Sequence, residues 1–158
     1  MGLLEGKKAV IFGVANDKSI AWAIAEAFKR EGAELAFTYA GEILETRVRP
    51  LAESVGSKII LPCDVTNESQ MDAVFDTLKK EWNGLDILVH SLAFAKKEEL
   101  KGEFFNTSRE GFLLAMDVSA YSLVALCKRA YPLMEGRSAS IMTLTYLGSE
   151  RIIPNYNV

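Results

Sequence analysis

Cysteine and histidine are scarce in this chain of 158 residues, and both scarcities exclude classes of site. The two cysteines, Cys63 and Cys127, lie far apart in apolar segments. Their spacing fits neither a zinc site nor a Cys-x-x-Cys redox pair, so we expect two reduced, buried thiols. The single histidine, His90, ends an apolar run. A Ser-His-Asp hydrolase is excluded in this region, and we expect His90 to be a packed strand residue rather than a catalyst.

The chain also lacks an excess of positive charge. Its 18 Lys and Arg stand against 21 Asp and Glu, for a net charge of −3, which argues against nucleic acid as the main partner. No run approaches the roughly 18 apolar residues of a membrane span, and no secretory signal opens the chain. We therefore predict a cytoplasmic protein without membrane insertion. With 49% apolar and 25% charged residues the composition is that of a globular protein, which excludes disorder and favours one domain over residues 1–158.

Short apolar runs alternate with helical patterns along the whole chain. The runs predict five strands, at 8–12, 35–39, 58–61, 85–90 and 140–144. Because the strands are apolar and nearly uncharged, both of their faces should be covered. The sequence therefore predicts an α/β protein, a Rossmann-like doubly wound parallel sheet with helices on both faces.

Polar residues before the helical patterns predict where the helices begin. Ser19 and Asn67, the latter with Gln70, suit helix caps, and Thr107 with Glu110 suits a capping box for a long helix ending near Tyr131. The helix over 42–55 should bend or shorten at its proline, and the mixed-charge run 96–99 should be solvated.

The segment after the fifth predicted strand contains no further helical pattern. A parallel strand needs cover on both faces, so apolar surface would remain exposed at this end. We therefore expect residues 1–158 to be a single dinucleotide-binding domain truncated before its C-terminal strands and helices.

Ligands of open α/β sheets bind beyond the carboxyl ends of the strands, so the residues there are candidates. The loop after the first strand begins at Gly13 and leads through Ser19 and Ile20 into a helix, which suits either a pyrophosphate or simply a tight turn. Asp64 and Val65 suit an adenine pocket, although Asp64 could equally start a turn. Small residues over 91–95 would let a flat ligand lie against the backbone. Tyr146 and Tyr156 follow the fifth strand and could be functional or buried.

Several segments together resemble one family. They are GVAN at 13–16 with SIAW at 19–22, CDV at 63–65, VHSLAFA at 89–95 and TLTYLGSERIIPNYNV at 143–158. The combination is similar to bacterial enoyl-acyl-carrier-protein reductases of the FabI type, divergent members of the short-chain dehydrogenase/reductase superfamily. The resemblance covers the whole chain and is most specific between Tyr146 and Tyr156.

The resemblance implies NADH-dependent reduction of the trans-2 double bond of enoyl thioesters carried on acyl carrier protein, the last step of the fatty-acid elongation cycle. It also implies a homotetramer and a lysine beyond Val158 that assists the tyrosine. By similarity, Tyr156 would donate to the thioester oxygen, where negative charge develops, and Tyr146 would face the substrate.

The remaining roles implied by the resemblance concern the cofactor and substrate. Gly13, Ser19 and Ile20 match the pyrophosphate and nicotinamide side, Asp64 and Val65 the adenine pocket, Leu92 the adenosine ribose, and Ala95 a substrate position. No metal is implied.

Two positions depart from the family's usual pattern. Ala40 replaces a longer polar or basic residue, which favours NADH over NADPH, and Ala93 replaces a common glycine.

Two alternative functions remain. One is a short-chain dehydrogenase acting on a carbonyl or alcohol, disfavoured because its Asn-Asn-Ala-Gly-like turn and catalytic serine are replaced here. The other is an NAD-binding fragment without turnover.

Overall fold

The computed structural model describes residues 2–157, in which five strands and five α-helices alternate, except that two helices lie between the fourth and fifth strands. The strands are β1 (Lys8–Phe12), β2 (Glu34–Tyr39), β3 (Ile59–Pro62), β4 (Ile87–His90) and β5 (Ser140–Thr143). The helices are α1 (Ile20–Arg30), α2 (Glu42–Ser54), α3 (Glu68–Trp82), α4 (Arg109–Met116) and α5 (Ser122–Met134). The predicted strands are confirmed, β1 to the residue and the others within two residues at either end.

The five strands form one parallel sheet in the order β3-β2-β1-β4-β5. The chain moves outward from β1 to β3 and then crosses back to β4, so the strand order reverses beside β1. In open parallel sheets this reversal opens a crevice at the carboxyl ends of the strands, and ligands bind there. The predicted doubly wound fold is confirmed.

Two apolar layers cover the sheet, and β1 shows why. Val10 and Phe12 point into the layer formed with α3 and α5, whereas Ala9 and Ile11 point into the layer formed with α1 and α2. Successive strand residues face opposite sides, so a continuous apolar run is the pattern that a strand buried on both faces requires. The edge strand β5 differs, because all four of its residues are exposed.

The long helical segment differs from its prediction at both ends and in the middle. Ser108, not Thr107, caps α4, its hydroxyl accepting from Gly111 N–H at 3.0 Å. The buried carboxylate of Glu99 accepts from both the amide and the hydroxyl of Ser108, so Glu99 is not the solvated charge that its run predicted. A π-helical turn over Asp117–Tyr121 joins α4 to α5, which continues past Tyr131 to Met134.

Proline lies inside two helices without ending either. Helix α2 runs for 13 residues through Pro50, and α5 passes through Pro132. A proline removes one backbone bond, and packing of the buried Val48 and Ala52 holds α2 against the sheet in spite of that loss. Helix α2 is therefore not shortened at Pro50, and the bend that the sequence predicts there stays a prediction.

The segment Arg109–Met134, 26 residues of continuous helix, is long and apolar enough to cross a membrane by length and composition. The segment meets this criterion by its mean hydropathy, and it contains polar residues, so it is not the uninterrupted apolar run that the sequence analysis found absent. The inner face of α5 nevertheless packs into the core through Ala125, Leu126 and Ala130, as the core helix of a globular domain does. The absence of membrane insertion stays a prediction.

Candidate functional site

The loop after β1 brings the backbone of two neighbouring strands together. Gly13 has a φ of +104°, a conformation that residues with a side chain rarely adopt. A Cβ built on Gly13 would also overlap the carbonyl oxygen of Ser91, which follows β4. Glycine is thus required here twice over, by its backbone angle and by the close approach of the β4 loop.

Ser19 precedes α1 but does not cap it. Its hydroxyl donates to the Asn16 carbonyl at 2.6 Å and accepts from Ala15 N–H at 3.4 Å, so it closes the preceding turn instead. The expectation of a serine cap is therefore wrong. Trp22 N–H bonds to the Ser19 carbonyl at 3.0 Å, but no side chain caps α1, so the N–H groups ahead of Trp22 remain available for an anion at the positive end of the helix. Ile20 lies beside them with 65% of its surface exposed.

Asp64 and Val65 follow β3 and have different surroundings. Asp64 Oδ1 accepts from both the amide (2.9 Å) and the hydroxyl (2.7 Å) of Thr66, so this oxygen does start a turn. The Asp64 amide donates to Gln70 Oε1 at 2.7 Å, which fixes the turn against α3. Asp64 remains exposed and Val65 is buried below it. The turn and a ligand contact are compatible, because only one carboxylate oxygen makes these bonds.

The end of β2 offers no positive charge. Ala40 is exposed, and Gly41, with a φ of +82°, begins α2, whose first turn carries Glu42 and Glu45. Arg49 pairs with Glu45 at 2.5 Å, one helical turn along. The guanidinium bond holds the pKa of the Glu45 carboxyl below its ordinary value, so this pair is charged at neutral pH.

A cavity of about 350 Å³ lies beyond the carboxyl ends of β4 and β5. It gathers four of the predicted site residues, Leu92, Ala95, Tyr146 and Tyr156. Its other wall comes from the end of α4 and the π turn, through Ala115, Met116 and Ser119. The sequence does not predict this wall, because nothing in it indicates that a π turn would carry the Ser119 hydroxyl to within 3.0 Å of the Phe94 amide nitrogen.

Tyr146 and Tyr156 are neighbours inside this cavity. Their ring centroids are 5.2 Å apart and the ring planes are inclined by 41°, and each is 49% exposed. They are therefore not ordinary buried tyrosines. Both also line an adjoining apolar cavity of about 980 Å³, whose walls include Phe104, Ile152 and Ile153.

His90 is a packed strand residue, as predicted. It is 2% exposed, and both ring nitrogens are bonded, one to Thr143 and one to Ser122. Burial lowers the pKa of the imidazole, so the ring is neutral at pH 7.

The remaining candidates do not line the tyrosine cavity but lie along the same edge of the sheet. They are Gly13, Ser19, Ile20, Asp64 and Val65. Following the strand order, Asp64 comes first, then Gly13, then Leu92, then Tyr146. Among residues 2–157 no cluster of His, Cys, Asp and Glu has the arrangement of a metal site.

Comparison with known proteins adds a family to this geometry. The family model described as Enoyl-(Acyl carrier protein) reductase matches residues 13–158. The chain is 54% identical over its full length to enoyl-[acyl-carrier-protein] reductase [NADH] FabI of Aquifex aeolicus, and 50% identical over 99% of its length to the protein of that name from Rickettsia prowazekii. It covers 58% and 60% of these two proteins, so the chain spans about three fifths of the length of the curated relatives it matches.

Solved structures agree with the sequence matches. The Aquifex aeolicus crystal structure superposes with a TM-score of 0.96, covering 99% of this chain and 62% of that one. The Anaplasma phagocytophilum reductase, crystallised in complex with NAD, gives 0.94 at 49% identity, covering 99% and 59%. The strand order, the site along its carboxyl edge and these matches lead to one conclusion. The chain belongs to the enoyl-acyl-carrier-protein reductase family.

Proposed function

We propose that this protein reduces the trans-2 double bond of enoyl thioesters carried on acyl carrier protein, with NADH as reductant, in the last step of the fatty-acid elongation cycle. The observation that carries the proposal is the pair Tyr146 and Tyr156, half-exposed in one cavity at the carboxyl edge of the sheet. Relatives with 54% and 50% sequence identity are named as NADH-dependent reductases of this kind, which supports the proposal.

The residues along the edge of the sheet fit a dinucleotide. Gly13 lets the loop after β1 pack against the Ser91 carbonyl, where any Cβ would overlap, and the start of α1, which no side chain caps, offers N–H groups to a pyrophosphate. Asp64 and Val65 would hold the adenine, Ser19 and Ile20 the pyrophosphate and nicotinamide side, and Leu92 the adenosine ribose. When bound, NADH supplies the hydride that adds to C3 of the substrate.

NADH is favoured over NADPH by the charges at the end of β2. A 2′-phosphate needs a cation nearby. Ala40 and Gly41 offer none, and the acidic Glu42 and Glu45 open α2. Arg49 is engaged by Glu45 and is therefore not free for a phosphate.

Tyr156 would act on the substrate where charge develops. As C3 gains the hydride, negative charge grows on the thioester oxygen, and a phenol O–H donated to that oxygen stabilises it. The half-exposed ring leaves its hydroxyl open to the cavity. Tyr146 packs beside Tyr156 and would face the substrate, with Ala95 on the opposite wall.

A homotetramer in the cytoplasm forms part of the proposal. The segment Arg109–Met134 carries a row of exposed apolar side chains, at Phe112, Leu113, Met116, Tyr121 and Val124. Surface of this kind is typical of an interface between subunits. Light scattering on the purified protein measures the assembly directly.

The test is Tyr156→Phe in the intact protein, with Tyr131→Phe as the matched control. Tyr131 loses the same hydroxyl but lies outside the cavity, bonded to Glu135 on the surface. We expect Tyr156→Phe to lower kcat for crotonyl thioester by about a hundredfold, as loss of one oxyanion donor does. The Kd for NADH, from fluorescence titration, should be unchanged in both variants.

The outcomes separate the competing functions. NADH binding with no turnover of enoyl thioester by the wild type would establish the non-catalytic alternative. Oxidation of an alcohol without enoyl reduction would establish the dehydrogenase alternative. A Tyr156→Phe protein with undiminished kcat would refute the role of that hydroxyl.

A further inference from the structure

The side chain of His90 joins the three segments that form the tyrosine cavity. Its own strand leads directly into the β4 loop that contains Leu92 and Ala95. One ring nitrogen bonds Thr143, the last residue of β5, three positions before Tyr146. The other bonds Ser122, the first residue of α5, directly after the π turn that carries Ser119.

The hydrogen-bond directions around the ring are determined by Ser122. The Ser122 hydroxyl donates its one hydrogen to the Val118 carbonyl at 2.7 Å. Towards His90 it can therefore only accept, so the hydrogen of the imidazole lies on Nε2, 2.7 Å from Ser122 Oγ. In the neutral ring Nδ1 then carries no hydrogen and accepts from the Thr143 hydroxyl at 3.1 Å.

These bonds hold two walls of the cavity to the sheet. The bond to Ser122 fixes the junction between the π turn and α5, and the bond to Thr143 fixes the end of the exposed edge strand β5. The backbone bond from Leu144 N–H to the His90 carbonyl is long, at 3.4 Å. The bond between the Thr143 hydroxyl and His90 Nδ1, at 3.1 Å, is therefore the shorter of these two bonds near Tyr146. A second tie, between Ser119 and Phe94, closes the opposite side of the cavity.

We propose that His90, in its Nε2–H form, is the positioning residue that sets Tyr146 and its neighbour Tyr156 against the β4 loop and the π turn. This inference rests on the proposed function, because it assigns to His90 the alignment of the tyrosines that act on the substrate. His90 does not touch the substrate and acts only through Thr143 and Ser122.

The test compares Thr143→Val with Thr143→Ser in the intact protein. Valine keeps the size of threonine and removes the hydroxyl, whereas serine keeps the hydroxyl and removes the methyl. Thr143 is the last residue of β5, and valine and serine are both small side chains that the end of a strand accommodates, so neither change should prevent folding. We expect Thr143→Val to lower kcat for crotonyl thioester by about tenfold or more, since small misplacements of a reacting group have effects of that size. Thr143→Ser should restore most of that loss, and the Kd for NADH should be unchanged in both.

A spectroscopic measurement tests the same inference without turnover. Long-range proton–nitrogen NMR of the wild type should show a neutral imidazole with its hydrogen on Nε2, and the Nδ1 resonance should shift in Thr143→Val. Hydrogen on Nδ1, or no imidazole signal that responds to Thr143→Val, would overturn the inference.

The kinetic outcomes distinguish this inference from the proposed function. A wild type that does not reduce crotonyl thioester would refute the proposed function and this inference with it. An active wild type in which Thr143→Val and Thr143→Ser lose equal activity would refute only the role of His90. Parallel losses of kcat and melting temperature in both variants would likewise show a purely structural bond.

Discussion

Replacing Asp86 by asparagine tests the reasoning about what holds β1, β4 and β5 together. The Asp86 carboxylate, 3% exposed, lies just before β4 at the amino end of the sheet, opposite the candidate site. It accepts two bonds from Arg137, at 3.1 and 3.0 Å, and one from Lys8 N–H at 3.0 Å. Arg137 precedes β5 and Lys8 begins β1, so one carboxylate connects three strands.

The size of the effect follows from these bonds. Asparagine keeps an oxygen for Lys8 N–H but turns an NH₂ group towards Arg137, so at least one bond to a charged group is lost, at about 1.5–3 kcal/mol. The Arg137 side chain is 36% exposed, so water solvates part of its freed charge. We therefore expect Asp86→Asn to lower the free energy of unfolding by about 2 kcal/mol, below the 3–5 kcal/mol typical of an unpaired, fully buried charge.

The pH dependence of this effect has a definite sign. Burial alone would raise the pKa of Asp86, but the bonds from Arg137 and Lys8 N–H outweigh it, and the folded pKa lies below the ordinary value. The stabilisation is therefore present above the ordinary aspartate pKa and is lost as the pH falls through the lowered folded pKa. The difference between wild type and Asp86→Asn should be full at pH 7 and should shrink in strong acid.

Urea unfolding of the intact protein, followed by circular dichroism, measures both effects. The exposed Asp76→Asn makes the same chemical change on the surface of α3 and is the matched control. At pH 7 the unfolding midpoint of Asp86→Asn should fall by about 1 M urea, while that of Asp76→Asn should hardly move. Equal midpoints for the two variants, or a difference that grows in acid, would refute the reasoning.

Two further predictions concern the first loop and the thiols. Gly13→Ala should raise the Kd for NADH by at least about tenfold in fluorescence titration, because its Cβ overlaps the Ser91 carbonyl and its φ is +104°; unchanged affinity would refute the close-packed loop. Burial, then the charge of Asp64, raises the pKa of Cys63 to about 12. Maleimide at pH 8 should therefore label Cys63 at least about a thousandfold slower in the folded protein than in denaturant, and equal rates by mass spectrometry would contradict its burial.

The sheet could be predicted from the sequence because each strand is a separate apolar run between polar segments. Ala9 to Phe12 have no polar side chain, and such a run favours a strand in the middle of a sheet that is covered on both faces. The same pattern predicts the edge strand β5 although its residues are exposed. An apolar run shows which residues favour a strand, but it does not show whether other elements pack over that strand.

The helix that follows residue 107 could not be predicted at this accuracy, because tertiary bonds decide its details. Thr107 and Ser108 are both good caps by type, and the buried carboxylate of Glu99 selects between them, because it binds Ser108 and not Thr107. The π turn over Asp117–Tyr121 likewise has no periodic signal. It is anchored at Ser122, whose hydroxyl meets His90 from a strand 32 residues earlier.

The order of the candidate residues along the sheet explains why a site so scattered in sequence can serve one ligand. Adjacent parallel strands lie about 4.8 Å apart, so the path from Asp64 beyond β3 to Tyr146 beyond β5 crosses four strand spacings, or about 19 Å. An extended dinucleotide followed by a substrate suits that length, and a compact ligand does not. Gly13 lies midway, at the reversal of strand order, where a pyrophosphate would need the closest backbone approach. Among the described strands β5 lies furthest from β3, so the tyrosines that follow β5 are the candidate residues furthest from Asp64, and the proposed function accordingly places the reacting end of the substrate furthest from the adenine.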